Sequence, residues 1–180
     1  VADNDLASDV LTLQAIDLKS GDSEIGVRGR VSGLLAEAPV LALKGELSGI
    51  PLERLGSLWP KGVATGARDW VSENVEGGRI TKGAFRLDVA ADALDGAVPD
   101  EAVRFEFAYE GVRIKYIDEL PPLMDVRGTA VVSGNAFDAT VDAAHVGDVR
   151  LSGGHVRIGD LNIKGQPAEI SGVVTGTARD

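Results

Sequence analysis

The sequence predicts a mainly β protein: a curled antiparallel meander, groove-like and taco-shaped, with one short helical pair inserted at about residues 51–76. Three observations carry that prediction. Apolar and polar residues alternate with a period of two along most of the chain, the pattern of strands with one solvated face. Glycine is abundant at 23 residues and aromatics make up only 4%, which suits many strands joined by tight turns. A single region around Leu58–Trp70 breaks the alternation, and it holds both tryptophans.

The strand candidates run in order as "LTLQAIDLKS", "EIGVRGRVSG" and "PVLALKGELSG" before the interruption. After it, "GAFRLDVAAD" sets Phe85, Leu87 and Val89 on one face against Arg86 and Asp88. "AVRFEFAYEGV" sets Val103, Phe105, Phe107 and Tyr109 against Arg104, Glu106 and Ala108. "MDVRGTAVVSG" sets Met124, Val126, Ala130 and Val132 against Asp125, Arg127 and Thr129, and "AFDATVDAA" sets Phe137, Ala139 and Val141 against Asp138, Thr140 and Asp142. "DVRLSGG", "HVRIGDL" and "EISGVVTGTA" complete the series. Short Gly, Asn and Asp turns such as "SGNAF" separate the runs, so the sheet is antiparallel rather than built on crossover helices. The close glycines of "GVRGRVSG" precede no helix and read as bulges or close backbone approaches, not as a phosphate cradle.

In the interruption, Pro51 suits the first turn of a helix, where its missing N–H is not needed. Leu52, Leu55 and then Leu58 or Trp59 form a stripe at helical spacing, and Pro60 ends it. A second helix starts near Thr65, a candidate N-cap, with Ala67, Trp70, Val71 and Val75 along one side and Gly77 and Gly78 as its stop. "ADALDGAVPDE" (residues 91–101) reads as an acidic loop, and "YIDELPPLMDV" as an irregular connection, since Pro121 and Pro122 deny a central strand.

Composition removes several function classes. With 28 acidic against 18 basic residues the net charge is −10, and no run of Lys or Arg offers a nucleic-acid footprint. The absence of cysteine removes disulfides, thiolate metal sites and cysteine nucleophiles. No apolar run approaches the roughly 20 residues of a membrane-spanning helix, and no signal peptide is visible. The chain begins at Val1 and is expected to be one segment of a longer protein, residues 1–180 forming one unit without an internal boundary.

Catalytic chemistry is not apparent. His145 and His155 lie on neighbouring strand candidates, yet a two-His metal site lacks a third ligand, so no metal and no cofactor are expected. No serine sits in a nucleophile elbow and no carboxylate pair stands out, so no catalytic residue is assigned and the chain is not read as an enzyme. The many apolar strand positions still need a cover, because burying each large side chain is worth about 1.5–3 kcal/mol. The ordinary cover is a second sheet over a dry core. The functional one is a curled, half-open sheet that holds lipid tails. Alternation fits both.

The stretch "PLERLGSLWPKGVATGARDWVSENVEGGRITKGAFRLDV" resembles a recurrent element of AsmA-like proteins, in the YhdP-type branch related to TamB. The matching residues are Trp59, Pro60, Ala67, Arg68, Trp70, Val71, Gly77 and Gly78. The run from "FEFAYEGVRIKY" to "HVRIGDL" is similar to the Gly-punctuated strands that follow that element. The resemblance implies a periplasmic β-taco body, tethered to the inner membrane of a Gram-negative bacterium by a region outside this chain. It implies a role in moving phospholipid towards the outer membrane and maintaining its barrier. On this reading acyl chains lie along Phe85, Leu87, Val89, Val103, Phe105, Phe107, Tyr109, Val126 and Phe137, while Leu55, Trp59, Trp70 and Val71 form a helical cap or gate. Phospholipid is the expected ligand, and neighbouring segments or envelope partners would join through sheet edges. The alternative is a closed, sandwich-like structural or protein-interaction module with no lipid ligand.

Overall fold

The computed structural model describes residues 2–5, 9–59, 65–90, 99–117, 119–161, 163 and 165–176. The first strands are β1 (Ala2–Asp5), β2 (Val10–Ser20), β3 (Ser23–Ser32), β4 (Val40–Ser48) and the two-residue β5 (Ile50–Pro51). Helices α1 (Leu52–Leu58) and α2 (Thr65–Asn74) follow, then the two-residue β6 (Val75–Glu76). The remaining strands are β7 (Arg79–Ala90), β8 (Val103–Ile114), β9 (Leu123–Ser133), β10 (Ala136–Val146), β11 (Val149–Ile158) and β12 (Ala168–Thr175). All of them form a single antiparallel sheet in the order β1-β2-β3-β4-β7-β8-β9-β10-β11-β12, with β5 on β7 and β6 on β8. The sheet is open, its edges being β1 and β12, and no second sheet lies over it among the described residues.

Glycines allow its curvature. A Cβ on Gly128 would lie 1.9 Å from the Thr140 carbonyl oxygen, and one on Gly29 would lie 2.2 Å from that of Ala42. Both glycines lie on the apolar face, so adjacent backbones close towards one another on that side, as on the inner surface of a coiled sheet.

Several elements differ from the expectation. "DVRLSGG" and "HVRIGDL" are one strand, β11; an extra residue near Gly153 (φ 60°) shifts the register between Ser152 and His155 and splits the alternation in two. The second helix ends at Asn74, short of the two glycines. Val75 and Glu76 pair with Ile114 and Arg113, and Gly77 and Gly78 (φ 61° and 76°) turn the chain into β7. Tertiary contacts decide this: Glu76 binds Lys115 and Arg113, and Val75 packs on the core. Pro51 precedes α1 as its N-cap instead of entering its first turn. Strand β1 was not anticipated. Pro60, the capping side chain of Thr65, Ala67 and the acidic segment 91–98 lie outside the described residues and side chains.

Candidate functional site

The register aligns the apolar positions into continuous rows across the sheet. One row runs Ile16, Val27, Gly45, Phe85, Phe105, Val132, Phe137, Ile158 and Ala168, one residue from each of the nine strands β2–β4 and β7–β12. The next runs Leu18, Ile25, Leu47, Gly83, Phe107, Ala130, Ala139, Val156 and Ile170. Neither row contains a polar side chain. At the usual strand spacing such a row extends about 38 Å. Leu87 stands opposite Val103, and Val89 opposite Leu41, on the same face.

Beyond those rows the face is kept apolar by bulges. Tyr109 stands opposite Gly128, and a shift at Glu110–Gly111 brings Val112 opposite Val126 on the same side. The Tyr109 hydroxyl reaches past Gly128 and donates to the Thr140 carbonyl at 2.9 Å. Burial, with a smaller contribution from the Asp142 carboxylate, pushes its pKa up to about 12, so the face stays uncharged. Phe105 and Phe107 stack along β8 with centroids 4.6 Å apart, and Tyr109 continues the file at 6.2 Å from Phe107.

A cover lies over the middle of this face. Trp59, at the end of α1, packs with Val103, Phe105, Phe107, Phe137 and Ile158 around the buried Val132 and Leu161. Leu52 and Val75 pack with Tyr109, Ile114, Leu123 and Leu151 around Val112, Val126, Val141 and Ala144. The first turn of α2 meets the connection after β11 so closely that a Cβ on Gly66 would lie 2.6 Å from the Leu161 carbonyl oxygen. The helical pair and the β11–β12 connection thus meet over the sheet. Leu161 is the covering residue that pattern reading missed, because at the end of "HVRIGDL" it is out of step with Val156 and Ile158.

The expected inner-face residues Phe85, Leu87, Val89, Val103, Phe105, Phe107, Tyr109, Val126 and Phe137 therefore share one face. Of the helical residues, Leu55, Trp59 and Val71 are half-buried, while Trp70 is 43% exposed. Outside the cover the face meets solvent. On β2, Ile16 and Leu18 are exposed, and on β12 Ile170 is 72% exposed.

His145 pairs with Asp125 at 3.1 Å and His155 with Asp138 at 2.9 Å, so each imidazole engages its own carboxylate at a different place on the sheet. No group of three or more metal-ligating side chains occurs among the described residues.

A family model described as "YhdP protein" matches residues 3–180. No curated protein and no solved structure gives a match.

Proposed function

The chain belongs to the YhdP family, and we propose that it forms a section of a periplasmic apolar groove that binds and conducts phospholipid acyl chains between the inner and outer membranes. The carrying observation is the pair of apolar rows, unbroken across nine strands and left open at both flanks. Each methylene shielded from water contributes about 0.8 kcal/mol regardless of its position along a row. Affinity then needs no specific contact, and a tail slides without breaking hydrogen bonds. Headgroups remain in water at the open margin of the sheet. The net charge of −10 keeps anionic headgroups from being held tightly. Binding and sliding need no catalytic group. A membrane tether would belong to a region outside this chain, and the free edges β1 and β12 suit strand addition by neighbouring segments.

Within this function the helical pair acts as a cap, because Trp59 and Leu52 are built into the two apolar clusters. Native mass spectrometry of the chain purified from bacteria tests the proposal. Retained phospholipid, released by an apolar competitor, is the expected result. A lipid-free spectrum under conditions that preserve weak apolar complexes overturns it.

A further inference from the structure

The apolar rows run without a break, but their middle is occupied. On β8 the apolar face is made by Val103, Phe105, Phe107, Tyr109, Val112 and Ile114. The first three pack in the cluster that Trp59 and Leu161 complete, and the last three in the cluster that Leu52 and Val75 complete. The whole width of the face is therefore taken up at β8, and no lane leads from the β2–β4 flank to the β12 flank. On the near side of this barrier, three strand spacings, about 14 Å, separate Ile16 from Phe85. A tail longer than that lies along a row only if the cover gives way.

The cover has a firm footing at one end. β5 pairs with β7 through Ile50–Ile80 and Pro51–Arg79, and both isoleucines are buried. The Leu52 N–H donates to the Gly78 carbonyl at 3.1 Å. β6 pairs with β8, and the Lys115 N–H donates to the Asn74 carbonyl at 2.8 Å. Helix α1 leaves from β5 and α2 returns to β6, so the two helices share this footing. At the far end Trp59 lies in the first apolar cluster, and Gly66 sits against the carbonyls of Leu161 and Ile163. Between these ends no described residue of α1 or α2 is buried. Helices of 7 and 10 residues draw their stability from contacts more than from propensity, and here those contacts lie at the two ends.

We infer that the helical pair is a displaceable lid, hinged on β5 and β6 and latched on the β11–β12 connection, which an acyl chain lifts as it crosses from one flank to the other. This rests on the groove function proposed above and adds control of passage to it. A crossing tail meets Phe105, Phe107 and Val132 in place of Trp59 and Leu161, exchanging one apolar contact for another. Only the lifted state leaves room for the tail, so the tail itself shifts the equilibrium towards that state. Without a tail the apolar clusters hold the lid down, and the cap is this closed state.

The distance between two spin labels, read by electron paramagnetic resonance, tests the lid, since the chain has no native cysteine. Ser57→Cys places one label near the far end of α1 and Glu169→Cys places the other on β12, both at exposed positions. The probes are octylphosphocholine and hexadecylphosphocholine, each below its micelle-forming concentration. An octyl chain fits within the flank and a hexadecyl chain overruns it. Native mass spectrometry counts the bound probe in each sample. Hexadecylphosphocholine adds a second, longer distance, whereas octylphosphocholine leaves the single distance of the free chain. Leu161→Ser, with its fold checked by circular dichroism, weakens the latch and populates the longer distance without any probe; the probe titration decides alone where that variant does not fold. Bound hexadecylphosphocholine with an unchanged distance overturns the lid and leaves the groove standing. Lengthening by the octyl chain also overturns it, because a chain held within a flank does not reach the lid. Where neither probe binds, groove and lid fall together.

Discussion

Strands β7–β10 and the flanking strands β2 and β12 carry the same apolar rows, yet their faces end in different surroundings. At the centre Val126 and Val132 are buried beneath Leu52, Trp59 and Leu161. At the flanks Leu18 and Ile170 continue those rows into solvent. Alternation therefore tells which way a side chain points, while segments distant in sequence decide whether anything covers it. The centre is where the fold is held together, and the flanks are where the proposed function would have a lipid tail first make contact.

The largest expected effect tests the covered half. Trp59→Ala removes the ring that packs on Val132 and Leu161, and chemical denaturation should show a loss of about 3 kcal/mol. Leu18→Ala, on the same face but uncovered, should change stability by less than ~0.5 kcal/mol. Equal losses would erase the distinction between the regions. Gly128→Ala comes next, at about 2–3 kcal/mol, because its Cβ would meet the Thr140 carbonyl oxygen and force the curled strands apart.

Much of this contrast was legible in the sequence, but not all. The residues from Phe85 to Phe137 share a face because period-two alternation is local, and a strand must express it whatever its neighbours do. The helical interruption was equally visible, through Pro51, the leucine stripe and the tryptophans. Register was not visible, since pairing joins residues far apart in the chain. For that reason the alignment of Arg28, Lys44, Arg86 and Arg104 side by side on four strands of the polar face could not be seen along the chain. The spacing of Val75 suits a helix, and its pairing with Ile114 overrides that preference. Leu161 closed the strand candidate "HVRIGDL" but fell out of step with Val156 and Ile158, so alternation gave no sign of its covering role.

Smaller effects sharpen the comparison through pH. Tyr109, in the covered half, is held neutral with its pKa raised to about 12 from 10.0. A folded-state value above the unfolded one means that its contribution is complete below pH 10.0 and is lost as the pH rises towards about 12. Tyr109→Phe should flatten that alkaline decline in a pH series of unfolding midpoints. Glu76, which ties β6 to β8, is held below the ordinary carboxylate range first by its hydrogen bond from Lys115. Its contribution is present above the ordinary glutamate range and fades as pH falls below it. Because Glu76 lies at the surface, Glu76→Gln should produce the smallest change of the series, read as a slightly shallower acid limb.

The account turns on which face meets lipid. Leu18 and Lys19 are consecutive on β2; Leu18 stands opposite Ile25 on the apolar face, while Lys19 stands opposite Glu24 and pairs with it at 2.8 Å. A photoreactive residue placed at each position in turn, activated in living bacteria, reads this directly. Phospholipid adducts at position 18 with none at position 19 are the predicted result. Adducts at neither position, or equally at both, would contradict it.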